Sequence, residues 1–322
     1  VGSGSALPEQ SLTNDQLALR VDTNDTWIRS RTGIGKRRVI APGESLTGLS
    51  ASAALSALEM AGWEPETVDL IILATSTPDD LFGSAPQVQA RIGANRAVAF
   101  DLTAACSGFL FALVTAAQYL QSGTMQRALV IGADQLSSWV DWDDRRTCVL
   151  FGDGSGAVAL EAGNSDDQGL IGFKLRSDGS RGNCLNLMKS SEHLPLVGGS
   201  SHQLGGFLPI QMNGQEVYKF AVREVPLLLE QLLRSHDISP DKLDWLLLHQ
   251  ANQRILDAVA DRFKIPFSKV LSNLAEYGNT SAATIPLMLD EAVRDGRVQS
   301  GNLIASSGFG AGLSWGAALF KW

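Results

Sequence analysis

Three cysteines and four histidines are the strongest nucleophiles and proton carriers in this 322-residue chain, and their neighbours sort them. Cys106 lies in Thr103-Ala104-Ala105-Cys106-Ser107-Gly108, between a strand-like run and an apolar helix-like run. The positive end of a helix favours an anion, so a thiol there is expected to have a lowered pKa and a larger thiolate fraction. Its small neighbours would let a substrate approach closely. On position alone, a buried structural cysteine fits as well. Cys148, in Thr147-Cys148-Val149-Leu150-Phe151, reads as a core residue inside a strand, and Cys184 carries no chemical signal. No CxxC pair occurs and the cysteine count is odd, which argues against a disulfide framework; no zinc-ligand spacing is present.

His249 closes the apolar run Trp245-Leu246-Leu247-Leu248 and opens His249-Gln250-Ala251-Asn252. Ligands in open α/β sheets gather beyond the carboxyl ends of strands, and His249 is the only one of the four histidines with that placement. A capping or core histidine is the competing reading. His193, His202 and His236 stand in polar contexts and are expected to be solvated. Asn279 follows Tyr277-Gly278 and precedes Thr280-Ser281. Asn is a good helix N-cap, and such a side chain can still donate an N–H to a substrate oxygen. Two glycine runs complete the set. Ser307 to Gly316 reads as a turn between strands whose amides could form an oxyanion hole. No Lys-Ser/Thr follows it, so a phosphate loop is disfavoured. Phe151-Gly152-Asp153-Gly154-Ser155-Gly156 reads as a tight turn.

The elements that would carry these residues form a repeat. One stretch runs from the strand at 68–74 through a helix from Gln87 to Ile92, a strand at 97–100, Cys106 and a helix to Gln121, to a strand at 128–132. The second runs from 243–248 through a helix from Arg254 to Phe263, Lys269-Val270-Leu271, Asn279 and a helix to Arg294, to a strand at 302–306. Cys106 to Gly123 and Asn279 to Gly296 both span 17 positions, which makes Cys106 and Asn279 the expected symmetric pair. Short apolar strands alternating with helices predict parallel buried sheets. Two such βαβαβ halves face to face give five layers, αβαβα, with middle helices apolar all round; Gly108 to Ala117 meets that demand. The expected division is 1–163 with Cys106, an insertion or linker with strands and loops over 164–215, and 216–322 with His249 and Asn279.

Composition narrows the function classes. Lys plus Arg number 26 against 34 Asp plus Glu, a net charge of −8, which speaks against a general nucleic-acid binder but not against a local basic patch for an acidic partner. No run of about 18 apolar residues suggests a membrane span. The few unpaired cysteines suit a reducing, cytoplasmic setting. The opening Val1-Gly2-Ser3-Gly4-Ser5 is no signal peptide, and without an initiator Met the natural chain is expected to begin earlier.

Taken together, the segments resemble the β-ketoacyl-acyl-carrier-protein synthase III family of thiolase-like condensing enzymes, almost end to end. The motifs are Asp25-Thr26-Trp27-Ile28, Arg31-Thr32-Gly33-Ile34, Asp101 through Gly108, Phe151 through Gly154, His249 through Asn252, Tyr277 through Ser281 and Gly308 through Gly316. The resemblance implies a thiolase-like fold and a catalytic set of Cys106, His249 and Asn279, with the amides of Cys106 and Ala311 as oxyanion hole. It implies coenzyme A contacts at Thr23, Trp27, Arg31, Arg145 and Gln215, and carrier-protein contacts at Lys219, Gln250 and Arg254. Gln215 and Tyr218 stand where Asn and Phe would be expected. Phe82 resembles a residue that contacts the partner of a homodimer and bounds its acyl pocket. The implied reaction joins acetyl-CoA, or another short acyl-CoA, to malonyl-acyl-carrier protein with loss of carbon dioxide, starting type II fatty-acid synthesis without a cofactor or metal. A condensing enzyme of secondary metabolism and a cysteine-dependent acyl hydrolase are the alternatives. The apolar helix behind Cys106 and the duplicated halves disfavour the hydrolase.

Overall fold

Runs such as Leu70-Ile71-Ile72-Leu73-Ala74 are too short for a helix and too apolar for a surface, so they end up as interior strands. The computed structural model describes residues 1–163 and 168–322. Two five-stranded sheets organise it. The first contains β1 (Gly2–Ala6), β2 (Leu70–Ala74), β3 (Val98–Leu102), β4 (Arg127–Gln135) and β5 (Asp153–Glu161) in the order β1-β5-β4-β2-β3. The second contains β6 (Gly169–Ser177), β7 (Trp245–Leu248), β8 (Val270–Leu271), β9 (Leu303–Gly310) and β10 (Ser314–Lys321) in the order β6-β10-β9-β7-β8. The two orders match strand for strand. In each sheet the three strands at one end, β4-β2-β3 and β9-β7-β8, run parallel, and the other two are joined to them and to each other by antiparallel pairings.

Seven helices matter for the layering: α1 (Asp25–Thr32), α2 (Leu46–Ala61), α3 (Ala85–Ile92), α4 (Gly108–Gln121), α5 (Gly214–Arg234), α6 (Gln253–Phe263) and α7 (Thr284–Arg294). One apolar cluster joins α2 and α3 to the outer face of the first sheet. A second joins α4 and α7 to the inner faces of both sheets, and a third joins α5 and α6 to the outer face of the second. The result is the expected five layers. The middle helix α4 buries Phe109, Leu110, Leu113 and Leu120, each contributing about 1.5–3 kcal/mol.

Several local readings change. The segment 164–215 contains β6, the edge strand of the second sheet; its first residues, 164–167, lie outside the described residues. Cys148 sits in a turn rather than a strand, although it is fully buried as expected. The run from Phe151 to Gly156 is the entry into β5, and most of Ser307 to Gly316 belongs to β9 and β10, with only residues 311–313 between them. The symmetric pairing of Cys106 with Asn279 is also displaced. Each helix of the middle layer is preceded by a short 3-10 turn, Ala105–Ser107 before α4 and Ser281–Ala283 before α7. Both turns open on a non-glycine residue with positive φ, Ala105 at 48° and Ser281 at 52°. Cys106 therefore corresponds to Ala282. The equal 17-residue spacing misled because α7 has 11 residues against 14 in α4.

Candidate active site

Three chain segments converge where the middle layer meets the second sheet. Cys106 is held at the turn into α4, with 7% of its surface exposed. The end of β9 packs on its backbone: a Cβ added at Gly310 would lie 2.5 Å from Cys106 N, so only glycine permits this approach. The next residue, Ala311, follows directly. His249 leaves the end of β7, its N–H donating to Ser307 O at 2.9 Å. Its Nδ1 is 2.7 Å from Thr284 Oγ1, and its ring meets Phe309 edge-on at 5.5 Å. Asn279 comes from the loop before α7. Its N–H donates to Leu150 O at 2.9 Å and its carbonyl accepts from Gly152 N at 3.0 Å, a one-residue bridge between the two halves. Gly278, at φ 66°, makes that bridge possible, since a Cβ there would stand 2.7 Å from Leu150 O.

Cys106, His249 and Asn279 all line one cavity of about 100 Å³, together with Phe309, Phe151, Met212, Tyr218 and Asn252. The Asn279 Oδ1 accepts from Ser281 N at 2.9 Å, which leaves its Nδ2 hydrogens for a ligand. The acceptor end of Asn279 thus caps locally, directed at Ser281. Burial drives the His249 pKa down to about 3, so the ring is neutral at any ordinary pH. Nδ1 faces Thr284, which leaves Nε2 as the nitrogen for a ligand. Because Thr284 Oγ1 is also 3.0 Å from Ser281 O, its single hydrogen decides the tautomer. When that hydrogen points at His249 Nδ1, Nε2 carries a proton and is a donor.

The sulfur differs from expectation. Burial pushes the Cys106 thiol up to about 12; the hydroxyl of Ser281, 3.3 Å from Sγ, opposes the rise, and the negative charge of Asp134 adds to it. The helix N-terminus does not overcome desolvation, so the resting group is a thiol. Asp134 is fully buried at the end of β4, where its own pKa is raised by burial. It accepts from Ser76 N at 2.8 Å, Thr77 Oγ1 at 2.9 Å, Thr75 Oγ1 at 3.1 Å and Ala282 N at 3.2 Å. Asp134, Ser281 and Thr284 were not legible as site residues. A carboxylate at the end of the apolar run Ala128 to Ala133 was the one available signal.

The other expected positions scatter around this centre. Arg145 lies over the Trp27 ring at 5.4 Å and donates to Asp22 O at 2.6 Å, beside an open hollow of about 500 Å³ between Arg20 and Arg146. Thr23 is half-buried, with a hydroxyl that has no partner among the described residues. Arg31, Gln215, Lys219 and Arg254 are exposed, Lys219 pairing with Glu216 at 2.9 Å. Arg254 Nη2 and Asn252 Nδ2 donate to Ser30 O and Arg31 O, which ties α6 to the end of α1. Gln250 contradicts its expected place on a docking surface. It is fully buried, its Nε2 bonded to Leu248 O and Leu271 O and its Oε1 to Ser272. It is the internal brace of the His249 turn. Phe82 is 99% exposed. Among the described residues no group of three or more acidic, His or Cys side chains is arranged to hold a metal. None of their helices is long and apolar enough to cross a membrane.

Comparison with known proteins agrees with this geometry. Residues 100–179 match the family described as 3-oxoacyl-[acyl-carrier-protein] synthase III, and residues 233–322 match its C-terminal part. The chain is 76% identical over its full length, and 95% of the relative's, to the β-ketoacyl-[acyl-carrier-protein] synthase III of Prochlorococcus marinus (strain MIT 9313). It is 71% identical, with the same coverage, to that of Synechococcus sp. (strain WH7803). The crystal structure of 3-oxoacyl-[acyl-carrier-protein] synthase III from Aquifex aeolicus VF5 superposes with a TM-score of 0.91 at 41% identity, covering 100% of this chain and 99% of that one. A priming β-ketosynthase from a polyketide biosynthetic pathway reaches 0.90 at 32% identity, covering 99% and 94%. With the duplicated five-layer fold and a shared cavity for Cys106, His249 and Asn279, this chain belongs to the β-ketoacyl-[acyl-carrier-protein] synthase III family of condensing acyltransferases.

Proposed function

We propose that this chain joins acetyl-CoA, or another short acyl-CoA primer, to malonyl-acyl-carrier protein, giving acetoacetyl-carrier protein, coenzyme A and carbon dioxide, and so starts type II fatty-acid synthesis. The observation that carries this reading is the single cavity shared by a thiol, a neutral imidazole and a carboxamide with free N–H groups.

In the first half-reaction the Cys106 sulfur attacks the acyl-CoA carbonyl. The C–S bond to coenzyme A breaks, and the thiol proton ends on the departing coenzyme A sulfur. The amides of Cys106 and Ala311 hold the oxyanion. In the second, malonyl-carrier protein loses its carboxylate as carbon dioxide, and the electron pair passes into a thioester enolate. Nε2–H of His249 and Nδ2–H of Asn279 donate to the enolate oxygen. A neutral imidazole suits this task, since it can donate without drawing a carboxylate into an ion pair. The enolate carbon attacks the acyl-Cys106 carbonyl, the thiolate leaves, and one proton from solvent restores the thiol. The thioester activates the primer and the lost carboxyl supplies the carbanion, so the reaction calls for no metal or redox group.

Trp27 and Arg145 supply a flat face and a cation for the adenine end of coenzyme A, with Thr23, Arg31 and Gln215 as further contacts. Exposed Lys219 and Arg254 flank cavity residues Tyr218 and Asn252 and offer positive charge to an acidic carrier protein. Leu81 and Phe82, 82% and 99% exposed, are what a second subunit would cover in a homodimer.

Intact-mass measurement after mixing with acetyl-CoA tests the proposal. One acetyl group per chain is expected, absent in Cys106→Ala and discharged by malonyl-carrier protein with formation of the acetoacetyl product. Acetylation that persists in Cys106→Ala, or rapid release of free acetate without condensation, would overturn it.

A further inference from the structure

One residue touches two of the three members of the site and stands one hydroxyl away from the third. The Ser281 N–H donates to Asn279 Oδ1 at 2.9 Å. The Ser281 carbonyl stands 3.0 Å from Thr284 Oγ1 and so competes with His249 Nδ1, 2.7 Å from the same hydroxyl, for its one hydrogen. The Ser281 hydroxyl reaches Cys106 Sγ at 3.3 Å. Its φ of 52° lies in a region that residues with side chains rarely adopt, and strain of this kind persists only where the surroundings impose it. Asp134 holds the next residue of the turn. The carboxylate, itself held by Thr75, Ser76 and Thr77, accepts the N–H of Ala282 and fixes the turn from the far side.

The serine hydroxyl has one hydrogen and two lone pairs. Two groups draw on that hydrogen: the Cys106 sulfur, 3.3 Å away, and the Asp134 carboxylate, whose pKa the Ser281 hydroxyl holds down against the effect of burial. While Cys106 is a thiol, its S–H can donate to Ser281 Oγ, whose own hydrogen then turns to Asp134. Once the sulfur carries negative charge it becomes the acceptor, and the hydroxyl turns toward it. Asp134 loses little, because four other donors remain on it.

We propose that Ser281 is the residue that makes the buried Cys106 sulfur competent: its hydroxyl donates to the sulfur in the ionised form, while its backbone N–H fixes the Asn279 amide. The proposal rests on Cys106 being the nucleophile, yet its test reads sulfur ionisation alone. The rate of Cys106 carbamidomethylation by iodoacetamide is followed against pH by peptide mass spectrometry, in the wild type and in Ser281→Ala and Ser281→Gly. Both variants lack the hydroxyl and keep the backbone groups. Glycine also accepts positive φ without strain, so it covers the case in which alanine does not fold. The expected result is an about tenfold slower modification at fixed pH and a profile displaced about one pH unit to the alkaline side in both variants. The half-buried Cys184 should label at an unchanged rate. Profiles that superimpose on the wild type would overturn the proposal. A displaced profile in a chain that never loads an acyl group would instead sink the proposed function and leave Ser281's role standing.

Discussion

The turn at Ala105–Ser107 and the turn at Ser281–Ala283 share a backbone: a positive-φ residue, one 3-10 turn and a helix running into the middle layer. Their chemistry is unlike. The first turn carries a sulfur at its second position; the second carries Ala282 there, and its polar groups lie at Asn279, Ser281 and Thr284. The two halves present equivalent scaffolds, and the lack of symmetry in their side chains brings a thiol to one side of the cavity and a carboxamide to the other. Neither turn would make a site alone.

Removing the donors should separate the half-reactions most sharply. His249→Ala and Asn279→Ala are each expected to slow malonyl decarboxylation by about 10²–10³-fold while leaving acetyl loading on Cys106 within a few-fold of wild type. Single-turnover measurement of each step checks this, and equal losses in both steps would erase the proposed division between the two turns. A smaller effect concerns pH. His249 has a folded pKa of about 3 against 6.5 for the free side chain. The unfolded chain therefore binds the proton first, so the stabilisation is complete above pH 6.5 and is lost as pH falls toward 3. Between pH 7 and 5 the loss amounts to about 2 kcal/mol. Urea unfolding at the two pH values should show it, and a His249→Gln variant should lack that component. The smallest effect is expected at the symmetric position. Ala282→Cys places a thiol where Cys106 has its counterpart, yet loading should remain at one acetyl group per chain, with an overpacking penalty of about 1 kcal/mol. Two acetyl groups per chain would mean that the turns are chemically interchangeable after all.

Much of the frame was legible because burial writes itself into apolar pattern. The run from Gly108 to Ala117 could only be an interior helix, and Leu70 to Ala74 only an interior strand. His249 stood out because it lies just past such a run, and Asn279 because it precedes the helix-like run to Arg294. What escaped was decided by packing across the halves. Thr147 to Phe151 has a strand's composition but serves as a turn capped by Arg37, which donates to Val149 O. Gln250 is polar and sits beside a loop, so nothing local signals that Leu248, Leu271 and Ser272 bury it. The expected thiolate at Cys106 considered only the helix end, whereas desolvation by burial outweighs it. Ser281 looked like an ordinary serine beside a cap, because its three partners are 2, 3 and 175 residues away and only the last signals a site.

The bridge from Phe151 to Asn279 ties together segments separated by more than a third of the chain. During synthesis the thiol-bearing half emerges long before the strand that delivers the imidazole and the loop that delivers the carboxamide. A nascent or truncated chain ending near residue 163 would carry Cys106 without His249, Asn279 or Ser281. The same seam that builds the cavity therefore acts as a completeness check, keeping acyl chemistry silent until both halves have docked.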